Sequence, residues 1–175
     1  MRGEEELSLR KLYKEFGEAA RTIATEEWIG RGYPGVRLAD IGPKALVQAA
    51  DWQERRVDWD WNQLYAKWSR RPRHIGLAIW VDPKLCGLAL GKVSDGRVYA
   101  RLDRLERAPN ATDEEVERIA EIAIVYLEIF GRVANCRESV LWQPAESLIP
   151  YYKEFGYETE ILKKGRIVGL KRALS

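Results

Sequence analysis

Histidine occurs once in this chain, at His74, and cysteine twice, at Cys86 and Cys136. One imidazole and two thiols are too few for a structural zinc site or a disulfide framework, so no metal is expected. Long apolar runs are also missing. Ile75 to Val81 and Ile122 to Leu127 are among the longest and fall well short of a membrane span. Neither charge sign dominates. The 29 lysines and arginines face 27 acids, and a formal charge of +2 exerts no strong pull on nucleic acid or an anionic membrane. The first residues, Met1-Arg2-Gly3-Glu4-Glu5-Glu6, are acidic and lack the apolar core of a signal peptide, so the expected location is a reduced cytoplasm. What remains is ordinary globular material: 175 residues, 46% hydrophobic and 32% charged. That composition excludes disorder, collagen and coiled coil, and the length suits one domain with or without a helical appendage.

Aromatic residues are the conspicuous surplus. Seven tryptophans are present, and Trp52, Trp59, Trp61 and Trp68 crowd into one short segment, which reads as core with a substrate wall as the alternative. Before that segment, Leu9, Leu12, Tyr13, Phe16, Ala20 and Ile23 recur at helical spacing. The helix is expected to stop before Gly30-Arg31-Gly32-Tyr33-Pro34-Gly35 and to cover its stripe on its own domain or on a second subunit, as a homodimer. Val36 to Leu38 reads as a short strand, and Gly42-Pro43 opens a helix to about Arg55. Asp58 or Asp60 caps a third helix bearing Trp61, Leu64, Tyr65 and Trp68.

The pattern then changes to strands at His74 to Val81, Leu85 to Val93 and Val98 to Leu105, separated by two hairpin turns. In the third strand Val98, Ala100 and Leu102 share one phase and Leu105 falls in the other. A β-bulge near Asp103-Arg104 produces such a slip, and a solvent-exposed Leu105 explains it equally. Thr112 and Glu115 form a T-x-x-E capping box at the start of a long helix, with Asp113 and Glu114 in its first turn. Val116, Ile119, Ala120, Ala123, Leu127 and Phe130 line its buried face, and Gly131 reads as its end. Ser139 to Trp142 is a strand, Glu146 to Phe155 a short helix stopped by Gly156, and Tyr157 to Leu162 and Ile167 to Lys171 a final hairpin. This order predicts an α/β (α+β) fold: a mixed, mostly antiparallel sheet with helices on both faces.

The segment Leu148-Ile149-Pro150-Tyr151-Tyr152-Lys153-Glu154-Phe155-Gly156-Tyr157 fits the pattern L-Y-x-x-x-G-[FY]. With the meander, the suspected bulge and the long helix after it, the stretch from about Val36 onward resembles the GNAT superfamily of N-acetyltransferases. On that resemblance, residues 1–30 are an N-terminal helical extension and 31–175 a GNAT-like domain. The implied activity is transfer of an acetyl group from acetyl-CoA to a primary amine. The resemblance places the acetyl carbonyl against the backbone at Leu105, and the pyrophosphate against Arg107, Asn110, Ala111 and Thr112. It gives Tyr152 the role of acid toward the leaving thiolate. Glu106, next to the bulge, is the candidate base, with a solvated strand-end carboxylate as the alternative reading. The pyrophosphate segment Arg107-Ala108-Pro109-Asn110-Ala111-Thr112 departs from the family's [QR]-x-x-G-x-[GA] by losing both glycines. Asn110 is expected to replace one of them through left-handed backbone angles, while Asp113, Glu114 and Glu115 oppose an anion at that helix end. A catalytically inert binding module is therefore one alternative, and a toxin-type enzyme acting on aminoacyl-tRNA another; tRNA is the one nucleic acid retained as a partner.

Overall fold

The structure is a computed structural model describing residues 1–110 and 112–175, without the side chains of Asp113, Glu114 and Val116. Helix α1 runs from Arg2 to Gly30, then strand β1 (Val36–Ala39), α2 (Pro43–Ala50) and α3 (Trp61–Trp68). The meander β2 (His74–Val81), β3 (Lys84–Val93) and β4 (Tyr99–Arg107) leads into α4 (Asp113–Val133). Strand β5 (Glu138–Trp142), a 3-10 turn at Glu146–Leu148, α5 (Ile149–Glu154), β6 (Thr159–Lys163) and β7 (Arg166–Ala173) complete the chain. The strands form one sheet in the order β1-β2-β3-β4-β5-β7-β6, antiparallel throughout except for the β4–β5 pair.

Two hydrophobic clusters sandwich this sheet. One packs Ile119, Ile122, Ala123, Leu127 and Phe130 of α4 against Leu77, Ile79 and Leu141. Val116, also expected on that face, lies outside the described side chains. Helix α1 joins the same cluster through Tyr13, Ala20, Ala24 and Trp28, so its stripe is covered by its own chain. Ile23, expected in that stripe, instead faces outward at 46% exposure, because the contact line follows the smaller Gly17, Ala20 and Ala24 that let α1 approach closely. The other cluster holds Trp61, Trp68 and Trp80, with Trp52 and Trp59 partly buried beside them. The tryptophans of residues 52–68 thus pack α2 and α3 onto the sheet, as their composition implied.

Local signals explain most boundaries. Asp60 caps α3 by accepting from the Gln63 amide at 3.2 Å, and Thr112 and Glu115 close the capping box reciprocally. Helix α2 ends at Ala50, five residues short of the expected Arg55, and residues 51–60 form an irregular segment carrying Glu54 at φ 54°. Gly131 lies inside α4 rather than at its end. A Cβ there would come within 2.6 Å of Leu174 and 3.3 Å of the Ala100 side chain, so glycine serves close packing at that point.

The bulge is present. Leu90 pairs with Arg104 and Gly91 with Leu102, leaving Asp103 as the extra residue of β4. Gly91 makes this approach feasible: a Cβ on it would lie 2.1 Å from the Arg101 carbonyl oxygen. The bulge also sorts the side chains beyond it. Arg104 and Glu106 sit opposite Leu90 and Leu88 of the tryptophan-side cluster, whereas Leu105 sits opposite Ala89 of the α4-side cluster. Among the described residues no helix is long and apolar enough to cross a membrane.

Candidate active site

Strands β4 and β5 pair in parallel from Tyr99–Glu138 to Leu102–Leu141 and no further. Past that point β4 continues to Arg107, while β5 ends at Trp142 and the chain turns away at Gln143, φ 48°. The β5-facing edge of β4 from Asp103 onward therefore has no strand beside it. Such a splay leaves backbone donors and acceptors of one strand open to a ligand.

Tyr152 belongs to the α4-side cluster against which Leu105 also packs. Its helix is short because Pro150 sits in its first turn and Gly156, at φ +92°, ends it. The chain beyond Gly156 is firmly anchored. The Tyr157 hydroxyl donates to Glu128 Oε1 at 3.1 Å and accepts from Ser139 at 2.8 Å. Arg172 donates to the same Glu128 oxygen and to the Phe155 carbonyl, at 3.1 and 2.8 Å. That network explains why a glycine and an aromatic close the motif. Tyr152 itself is 8% exposed. Burial pushes its phenol above the ordinary range, with the charge of Arg107 pulling the other way, so it carries its proton at neutral pH. Neighbouring Tyr151 points elsewhere: its hydroxyl donates to the Glu117 carbonyl at 3.0 Å. Burial, reinforced by Glu121 and Glu117, pushes it up to about 12.

Glu106 lies on the opposite face of β4 and is 6% exposed. It is not a solvated strand end. Arg55 grips it with two hydrogen bonds, Nε to Oε2 at 2.8 Å and Nη2 to Oε1 at 2.6 Å, and the Trp61 indole donates to Oε1 at 2.7 Å. This carboxylate raises the Arg55 guanidinium still further. Arg104 lies over the Trp59 ring at 5.1 Å, and Arg101 holds Asp103 through two bonds of 2.9 and 2.7 Å while lying over Trp142. A buried phenol on the α4 side of the sheet and a buried carboxylate on the opposite face of β4 therefore lie on the two sides of this strand.

At the start of α4, Thr112 Oγ1 accepts from the Glu115 amide at 3.3 Å, and Glu115 Oε2 takes the Thr112 N–H at 3.0 Å. The amide expected to meet a pyrophosphate thus already holds a carboxylate of the chain. Asn110 is exposed in a turn, and it is not among the residues with left-handed backbone angles, so it does not supply the conformation a lost glycine would have given. Ala111 lies outside the described residues.

No protein-family model matches the chain, and no curated protein matches its sequence. Solved structures do match its architecture. The ribosomal-protein-S18-alanine N-acetyltransferase of Escherichia coli superposes with TM-score 0.58 at 15% identity, covering 80% of this chain and 94% of its own. A spermidine N-acetyltransferase variant from Vibrio cholerae gives TM-score 0.58 at 14% identity, over 80% of this chain and 94% of that one. The N-acetyltransferase PseH of Campylobacter jejuni gives 0.58 at 11%, over 81% and 100%.

The chain has the GNAT fold.

Against that fold, Leu105, Arg107 and Tyr152 sit on one side of β4 and Glu106 on the other. Asn110 and Thr112 lie at the start of α4, with Thr112 engaged by Glu115. Sequence reasoning missed Arg55 and Arg104. Arg55 sits 51 residues from Glu106 in a segment without periodicity, so no spacing announced the pair. The only available signal was that an arginine stood inside the tryptophan-rich stretch.

Proposed function

We propose that this protein is an acetyl-CoA-dependent N-acetyltransferase acting on a primary amine. The observation that supports the reading is Tyr152, a buried phenol within the electrostatic reach of Arg107 at the end of β4 and carried by the motif ending at Gly156-Tyr157. The residues fit the thioester end of acetyl-CoA: an unpaired β4 edge at the bulge offers backbone donors to the carbonyl. They fit the pyrophosphate end less well, because Glu115 occupies the Thr112 amide.

Each residue then has a role. Glu106, once Arg55 has yielded, accepts a proton from the acceptor ammonium directly or through water. The freed amine forms the new C–N bond as the C–S bond of the thioester breaks. Tyr152 donates its proton to the departing thiolate and regains one from the acylated nitrogen, which must lose its second proton to become the amide, with Arg107 stabilising the phenolate in between. Acetyl-CoA supplies the activated acyl group.

The capping box favours a second reading, a GNAT-fold binding module without catalysis. Calorimetric titration with acetyl-CoA separates the two, since the module reading expects no binding at millimolar concentration. For the enzyme, Tyr152→Phe should slow thiol release by roughly 10²–10⁴-fold and leave acetyl-CoA affinity nearly unchanged, because only the hydroxyl is lost. Tyr151→Phe, aimed at Glu117, is the matched control and should keep its turnover. Loss of turnover in Tyr151→Phe alone would reassign the acid.

A further inference from the structure

Three guanidinium groups crowd the tryptophan-side face of β4, and among the described residues only two of them have a carboxylate. Arg55 is paired with Glu106 and Arg101 with Asp103. Arg104 stands between them, against the Trp59 ring, and its Nε is buried with no hydrogen-bond partner among the described residues. Buried N–H groups are almost always bonded, and a guanidinium presents a planar fork of donors shaped for a carboxylate. The aromatic wall beneath it lowers the local dielectric and strengthens any anion contact made there. Among the described residues, one positive charge on this face thus lacks its counterpart.

Arg104 and Glu106 are two residues apart on the same face of the strand, and so about 7 Å apart along the backbone. Resting on the acetyltransferase reading, we infer that the acceptor is an amino acid: its ammonium goes to Glu106 and its carboxylate to Arg104. Arg55 already puts a cation on Glu106 and marks where the ammonium belongs. It comes from the irregular segment 51–60, whereas Glu106 is fixed in a strand, so Arg55 is the partner that gives way. A polyamine suits this face poorly, because its second cation would meet Arg104.

The test compares wild type, Arg104→Gln and Arg104→Lys. Acetyl-CoA binding is measured first by calorimetry. Thiol release is then measured with α-, β- and γ-amino acids in one pool, their amides in a second, and spermidine alone. The expected result is turnover of the acids, with amides and spermidine slower by at least roughly 10-fold, the lower bound for a lost bond to a charged group. Arg104→Gln should lower kcat/KM for the acids by roughly 10- to 100-fold, mainly through KM, and leave amide turnover and acetyl-CoA affinity unchanged. Arg104→Lys should recover part of the loss. Amides or spermidine used as well as the acids would overturn the inference, as would acetyl-CoA binding with turnover of neither pool. Failure to bind acetyl-CoA would overturn the acetyltransferase reading and this inference with it. Should Arg104→Gln fail to fold, the comparison of acids with amides on wild type decides the question alone.

Discussion

Cutting the link between Arg55 and Glu106 should destabilise the fold unequally from its two ends. Glu106 is 6% exposed and receives three hydrogen bonds, two from Arg55 and one from Trp61, while the Arg55 side chain keeps 18% exposure. Glu106→Gln preserves shape but removes the charge and turns an amide toward a donor. Removing one partner of a buried pair costs about 3–5 kcal/mol. The glutamine variant belongs at about 3 kcal/mol, because Arg55 can swing toward solvent. Arg55→Met strands the more deeply buried partner, with Trp61 as its one remaining donor among the described residues, and belongs near about 5 kcal/mol. For a chain of this size about 3 kcal/mol lowers Tm by roughly 6–12 °C. Replacing both with methionine should cost less than either single change, because an apolar pair of similar volume needs no compensation. Urea denaturation followed by circular dichroism measures all three variants. Single variants within about 0.5 kcal/mol of wild type would mean that the pair is a screened surface contact and the reasoning is wrong.

Three other perturbations have equally definite outcomes. Glu115→Gln keeps a side chain able to complete the capping box but removes the negative charge from the α4 N-terminus, so acetyl-CoA binding should tighten about two- to fivefold in calorimetry. Gly91→Ala drives a Cβ into the Arg101 carbonyl and should cost about 3 kcal/mol or unmake the bulge, whereas Gly35→Ala, with open space around it, should stay within about 0.5 kcal/mol; urea midpoints distinguish them. Burial raises Tyr126, Tyr151, Tyr152 and Tyr157 above the usual 10.0. Their contribution to stability should be complete below pH 10 and fall as pH rises toward about 12, the value reached by Tyr126 and Tyr151; a Tm that stays flat over that interval would contradict the burial argument.

Features whose cause lies within a few residues were legible before any coordinates. The T-x-x-E box at Thr112, the slip of phase that marks Asp103, the final hairpin and the motif around Tyr152 all rest on local backbone chemistry. What escaped was set by distant partners. The expected end of α4 at Gly131 failed because that glycine answers to Leu174 and Ala100, not to helix termination. Ile23 was read into the buried stripe by periodicity, but the line along which α1 meets its neighbours favours smaller residues. Glu106 resembled a strand-end carboxylate, and only the fold brings Arg55 and Trp61 to it across 51 and 45 residues. Asn110 was credited with a conformation that asparagine tolerates but that this loop does not use.

The sheet order has a consequence for the chain as it is being made. Strand β6 leaves the ribosome before β7, yet β7 takes the inner place beside β5 and β6 is left at the margin. Until Arg166–Ala173 has emerged, β5 has one flank bare and β6 has no neighbour to join. The β1–β4 meander can assemble in the order of its synthesis, while the other half of the sheet must wait and then close inward around its latest arrival. Nascent chains halted just after Lys163 should therefore present two naked strand edges to chaperones.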